Sequence, residues 1–175
     1  MSVPRTMHKE LGPKTANFFI ITVSTSRYHA KMEGKPYTDE SGDTAEAMVK
    51  ESGHRVVGRE LIKDDIEMIR NLVRSLASRG DVDVIVLTGG TGLARSDVTI
   101  EALRPLFEKE MEGFGDIFRY VSYSKIGTGA IMTRATAGVI NGKLVVALPG
   151  SPDGVKTGLE IILQELPHIL YIIRS

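Results

Sequence analysis

Three features of the sequence predict a three-layer α/β fold, a doubly wound and mostly parallel sheet with one antiparallel edge. Apolar, strand-like runs alternate with helix-like segments over the first hundred or so positions, an order that calls for right-handed crossovers and helices on both faces of a parallel sheet. The run Val82-Asp83-Val84-Ile85-Val86-Leu87 shows no polar and apolar alternation, as expected of a central strand covered on both sides. Asn141-Gly142 separates two β-rich runs, 137–140 and 143–148; that dipeptide is the strongest short-range signal for a hairpin and hence for an antiparallel edge.

Taken in order, residues 1–15 form a polar arm with Pro4 and Pro13, either disordered or packed on a neighbouring subunit, and residues 16–175 form one domain. Residues 17–23 (NFFIITV) are the first strand, running into the hydroxyl-rich end Ser24-Thr25-Ser26-Arg27. Residues 28–40 read as a long polar loop with Gly34 and Pro36. Ser41 or Asp43 then caps a helix through Ser52, closed by Gly53. Residues 54–62 make a second strand ending at Lys63-Asp64-Asp65, where Asp64 with Glu67 starts a helix whose Ile66, Ile69, Val73 and Leu76 fall at helical spacing. Gly80 ends it before the central strand.

Thr99 to Phe107 reads as a helix bent or ended by Pro105, followed by Met111-Glu112-Gly113-Phe114-Gly115, a short helix to about Ser124 and another over 126–133. After the hairpin, Ser151 caps and Pro152 opens a helix that breaks at Pro167 and resumes to Ile173.

Composition excludes several classes. Twenty-two basic residues balance 22 acidic ones with no basic cluster, against a nucleic-acid or membrane-surface role. The absence of cysteine removes disulfide and thiolate chemistry, and the four histidines, His8, His29, His54 and His168, lack zinc-ligand spacing. No apolar run reaches membrane-span length and the N-terminus has no signal-peptide core, so the expected location is the cytoplasm.

The chemistry concentrates where the central strand stops at Thr88-Gly89-Gly90-Thr91-Gly92, with Ser96-Asp97-Val98-Thr99 and Glu101 beyond. Three glycines in four positions allow a tight turn that exposes backbone N–H groups to an anion. It is not a Walker A loop, because Gly92 is followed by Leu93 rather than lysine, nor a dinucleotide fingerprint, which needs glycine where Arg95 stands. Asp97 beside this cradle points to a shared divalent cation, or else simply caps the helix beginning near Thr99. Parallel-sheet geometry brings Ser24, Thr25, Ser26, Asp64 and the Thr88 loop to one edge.

The glycine turn, Ser96-Asp97-Val98-Thr99 with Glu101, Glu112-Gly113-Phe114-Gly115, Arg134 before Ala137-Gly138, and Pro149-Gly150-Ser151-Pro152 together resemble, in order and spacing, the molybdopterin-binding family of molybdenum-cofactor biosynthesis. The likeness runs from about Asn17 to the C-terminus and is nearest to the stand-alone MoaB and MogA type; Asp39-Glu40-Ser41-Gly42 and Gly92-Leu93 lean toward MoaB. The resemblance makes residues 16–175 a molybdopterin-binding domain. It implies adenylation of molybdopterin by magnesium-ATP with release of pyrophosphate, the work of a molybdopterin adenylyltransferase. Asp64 and Asp97 fall on the family's catalytic, magnesium-handling acids; Thr133-Arg134 fall on a Ser-Arg pair that contacts the pterin, and Ser122 on a further hydroxyl. Two departures are Ser96, where a basic residue is common, and Ser26-Arg27, which lacks an intervening acid. The resemblance also implies small-molecule substrates, a homotrimer or homohexamer, and contact with the downstream metal-insertion protein. A carrier or regulator that binds the pterin without turning ATP over is the rival reading.

Overall fold

The computed structural model describes residues 5–175; Pro4 and the rest of the arm's first four positions lie outside them. Six strands form one sheet: β1 (Asn17–Val23), β2 (Arg55–Ile62), β3 (Val84–Thr88), β4 (Lys109–Glu110), β5 (Thr136–Ile140) and β6 (Lys143–Leu148), in the order β2-β1-β3-β6-β5-β4. The pairs β1/β2, β1/β3 and β3/β6 are parallel, and β5/β6 and β4/β5 antiparallel. The expected doubly wound sheet with an antiparallel edge is therefore present, with β4 as an extra two-residue strand. Asn141 (φ 47°) and Gly142 (φ 71°) make the hairpin turn in the left-handed conformation that its tight geometry requires.

The missing alternation in the central strands has a direct cause. Phe18 and Ile20, Val84 and Val86, and Leu144 and Val146 enter one core with Ala45, Phe118 and Leu159. Their neighbours Phe19 and Ile21, Ile85 and Leu87, and Val145 and Ala147 enter a second core with Ile69, Val73 and Leu103. Consecutive side chains point to opposite faces, so a strand covered twice must be apolar throughout. The first core is roofed by α3 (Glu40–Glu51), α6 (Glu112–Ile126) and α7 (Pro152–Arg174), the second by α4 (Ile66–Ala77) and α5 (Thr99–Leu103).

Several expectations are corrected. The polar stretch 28–40 is not all loop: α2 (Thr25–Met32) occupies its first part, capped by Ser24. It has no buried residue, so its sequence carries no apolar stripe. The cap of α3 is Asp39, whose carboxylate accepts from the Gly42 amide, rather than Ser41 or Asp43. Asp65, not Asp64, caps α4 through the Met68 amide at 2.8 Å. Helix α5 ends at Leu103 and passes into a 3-10 turn over Arg104–Leu106 around Pro105. Helix α7 does not break at Pro167 but continues to Arg174, because its stripe of Val155, Leu159, Ile162, Leu166 and Leu170 stays buried in register across the proline; packing outweighs the lost hydrogen bond.

Helix α1 (Arg5–Leu11) lies along α7. Lys9 Nζ reaches Gln164 O at 3.2 Å and Glu165 Oε1 at 2.6 Å. No described helix is long and apolar enough to cross a membrane.

Candidate functional site

The parallel register sets the C-terminal ends of β2, β1, β3 and β6 side by side, the edge where ligands sit in such sheets. From these ends come Asp64, Ser24-Thr25, the glycine turn and Pro149-Gly150-Ser151. Close backbone approach holds the last two together. The Gly89 amide donates to Leu148 O at 2.9 Å, and a Cβ on Gly150 would stand 3.2 Å from Gly89 Cα. Gly89 has φ 98° and a side chain there would meet Val23 O. Its amide is thus spent inside the fold, which narrows the expected anion cradle: the N–H groups of Gly90, Thr91 and Gly92 are those that donate to no described atom. Thr99, at the start of α5, pins the turn from the other side, its Oγ1 donating to Gly89 O at 2.8 Å and its amide to Gly90 O at 2.9 Å.

Two carboxylates bracket the turn. A Cβ on Gly90 would lie 2.7 Å from Asp64 Oδ1, and one on Gly92 2.6 Å from Asp97 Oδ2, so only glycine lets each acid pack this closely against the turn. Asp64 Oδ2 accepts from the Thr25 amide at 2.9 Å and Thr25 Oγ1 at 2.8 Å. Asp97 Oδ2 accepts from the Ala94 amide at 3.0 Å. Neither Oδ1 accepts a hydrogen bond from a described residue. The reading of Asp97 as a helix cap is overturned, because α5 has no side-chain cap, and its five residues give it little dipole to add. Asp64 likewise does not cap α4, which Asp65 does.

Two grooves open beside this bracket. One, of about 370 Å³, is bounded by Gly89 to Gly92, Asp97, Met132, Thr133, Arg134 and Pro149 to Ser151. The other, also about 370 Å³, is bounded by Phe118, Ser122, Lys125, Ile126 and the start of α7 through Thr157. Thr133, Pro149 and Ser151 belong to both and form the wall between them. Ser151 caps α7 through the Gly154 amide at 3.1 Å. Arg134 is held by the Glu101 carboxylate across the first groove's rim. Ser122 is buried and its hydroxyl donates to Phe118 O at 2.8 Å, leaving only its lone pairs for a ligand.

Other expected residues stand apart. Thr88 is fully buried, with its Oγ1 3.1 Å from Ser41 Oγ beneath the turn. Ser24 and Ser26 lie at the head of α2, their hydroxyls 3.4 Å apart, and Ser96 is exposed. The sequence reading missed Met132 and Lys125, whose Nζ donates to Thr157 Oγ1 at 2.9 Å; a contact spanning 32 positions leaves no local pattern to read.

A third charged region lies behind α3. Arg59 pairs with Asp39, Asp43 and Glu46 at 2.8, 2.8 and 2.7 Å. Burial pushes the Asp39 carboxyl up, but hydrogen bonds from Thr22, the Gly42 amide and Arg59 outweigh it and hold it below its ordinary value. Arg59 is raised, its three carboxylate bonds overcoming burial.

Among the described residues no three His, Cys, Asp or Glu side chains gather into a metal site of their own. Two carboxylates beside an open anion cradle nonetheless fit a small hard cation, which takes one or two protein oxygens and completes its shell from phosphate and water.

A family model described as a probable molybdopterin binding domain matches residues 19–168. A curated protein of Methanocaldococcus jannaschii named "Probable molybdopterin adenylyltransferase" is 42% identical over 169 residues, 97% of this chain and 99% of its own. The Pyrococcus furiosus "Molybdopterin adenylyltransferase" is 42% identical over 167 residues, 93% of this chain and 94% of its own. A crystal structure of a molybdenum cofactor biosynthesis protein B superposes with a TM-score of 0.83 at 38% identity, over 93% of this chain and 98% of that one. By the family model, which matches most of the chain, and by these relatives, the chain belongs to the molybdopterin-binding family, of the MoaB and MogA type.

Proposed function

We propose that this protein is a magnesium-dependent molybdopterin adenylyltransferase acting in molybdenum-cofactor biosynthesis. A phosphate oxygen of molybdopterin attacks the α-phosphorus of ATP; the new P–O bond gives adenylated molybdopterin, and the bond to the bridging oxygen breaks to release pyrophosphate. The observation that carries the reading is the bracket itself: Asp64 and Asp97, each with an unengaged oxygen, stand on the two sides of the Gly90 to Gly92 turn.

Such a transfer needs charge neutralisation and alignment rather than a protein nucleophile. The amides of Gly90, Thr91 and Gly92 receive phosphate oxygens, and Asp64 and Asp97 hold magnesium. When bound, that cation neutralises charge on the transferring phosphoryl group. Thr133, on the wall between the grooves, holds the pterin, with Ser122 accepting from it and Arg134 exchanging Glu101 for a ligand anion. The names of the relatives support the activity. Homo-oligomerisation, to a trimer or hexamer, belongs to the same reading. It is supported by Ile117, Tyr120, Tyr123 and Ile126, exposed at three-residue spacing on α6, and by the neighbouring Ile131, 82% exposed.

The test is pyrophosphate release from purified protein mixed with molybdopterin and ATP. Release that requires both the pterin and magnesium is the expected result. Tight pterin binding without release would make the chain a carrier instead.

A further inference from the structure

The hydroxyl of Thr25 is spent on Asp64 in both directions. Its proton goes to Asp64 Oδ2 at 2.8 Å, and its lone pair accepts the Asp64 amide at 3.0 Å, closing a reciprocal ring between the ends of β1 and β2. The Thr25 amide, one of the donors that the first turn of α2 leaves without a helical partner, adds a second hydrogen bond to the same oxygen at 2.9 Å. No proton of Thr25 is left for a substrate. What the residue does is fix Asp64: Oδ2 is doubly engaged, and Oδ1, which accepts from no described residue, lies against the glycine turn, 2.7 Å from where a Cβ on Gly90 would stand.

We propose that Thr25 is a positioning residue that presents Asp64 to the cation through one oxygen, and thereby favours magnesium over calcium; this rests on the adenylyl-transfer reading. Calcium readily takes both oxygens of a carboxylate within a shell of about six to eight ligands, whereas magnesium needs a strict octahedron of single oxygens. A carboxylate with one oxygen held by two donors can offer only the other. Without the hydroxyl only the Thr25 amide holds Oδ2, which leaves that oxygen a lone pair to turn toward a cation, so that the carboxylate can chelate with both.

The test reads cation binding, not turnover. The full-length protein and the variants Thr25→Val, Thr25→Ser and Asp64→Asn are titrated with Mn²⁺ by electron paramagnetic resonance. The Mn²⁺ is then displaced with Mg²⁺ or Ca²⁺, and melting temperatures are recorded alongside. Thr25→Val is expected to weaken Mn²⁺ binding about tenfold, the scale of losing an outer-shell partner, and to lower the Mg²⁺-over-Ca²⁺ preference several-fold. Thr25→Ser, which keeps the hydroxyl, restores both. Should Thr25→Val fail to fold, Thr25→Ala removes the same hydroxyl with less bulk and the same outcome is required of it. If Asp64→Asn abolishes binding while removal of the hydroxyl changes neither affinity nor preference, the positioning role is overturned and the adenylyl-transfer reading stands. If Asp64→Asn leaves Mn²⁺ binding unchanged, the cation does not reside at Asp64 and both are overturned.

Discussion

Around Arg59, the carboxylates of Asp39, Asp43 and Glu46 share one guanidinium, and Glu46 also pairs with Lys50. At the glycine turn, Asp64 and Asp97 meet only N–H and O–H donors, one oxygen each, and no basic side chain. Both regions hold clustered acids and both adjoin a groove, of about 450 Å³ at Arg59, yet the charge pairing is closed within the protein in one and left open in the other. The difference separates structural charge from functional charge. Acids paired with the protein's own cations tie α3 to the sheet, while acids oriented only by neutral donors suit the proposed role of holding a cation from outside.

The sharpest way to break this contrast is to neutralise one member on each side. Asp97→Asn keeps volume and leaves an oxygen to accept from the Ala94 amide, so the melting temperature should stay near that of the unaltered protein. Adenylation should fall about a hundredfold or more, the scale of losing one preorganised electrostatic contact, as measured by pyrophosphate release. Near-normal turnover would place Asp97 with the structural charges. Arg59→Met is the converse. It removes a shared partner from three acids, leaving Glu46 its Lys50 and Asp39 its neutral donors, and should cost about 2 kcal/mol in urea unfolding, below the range for fully buried pairs because the side chain is partly exposed. Pyrophosphate release per folded molecule should remain close to normal. Loss of turnover without loss of stability would show that the Arg59 network serves the reaction.

The two regions also differ in how far they could be read from the sequence. The glycine turn, Asp64 and Asp97 were visible because glycines at a strand end and acids beside them form local patterns, and the sheet brings strand ends together by rule. The sheet itself followed from the apolar runs and Asn141-Gly142. Cap positions did not follow: adjacent Asp64 and Asp65 are equivalent to a pattern read in steps of one residue, and only the strand end shows that Asp65 meets Met68 while Asp64 meets Thr25. The Arg59 network escaped notice because its members lie 13 to 20 positions apart and meet only through packing. The unbroken α7 was hidden for the same reason, since its continuity depends on buried Leu166 and Leu170 rather than on Pro167.

A smaller effect sharpens the division inside the open region. Thr133 stands on the wall between the two grooves, and its hydroxyl makes no hydrogen bond to a described residue, unlike those of Ser122 and Thr25. Thr133→Ala should weaken molybdopterin binding by about 1 kcal/mol, one hydrogen bond's worth, and hardly alter ATP binding. Equal losses for the two ligands would show that the wall serves both grooves.

The smallest effect probes the closed region by pH. Burial raises the Asp39 carboxyl, yet the bonds from Thr22, the Gly42 amide and Arg59 bring it below its ordinary value. Glu46 is lowered mainly by its hydrogen bond from Lys50 and then by Arg59. A carboxyl whose folded value is depressed binds fewer protons folded than unfolded, so stability rises with pH between the two values. The contribution is therefore complete above the ordinary carboxyl range of about 4 and drains away as the pH falls through the lowered folded values. In Arg59→Met the guanidinium bonds are gone and the depression shrinks. Urea unfolding of both proteins between neutral and acid pH should thus show the unaltered chain losing stability more steeply below about pH 4, the two curves converging on the acid side. Parallel curves would mean that Arg59 does not set the proton affinity of its acids, and the contrast with Asp64 and Asp97 would then rest on geometry alone.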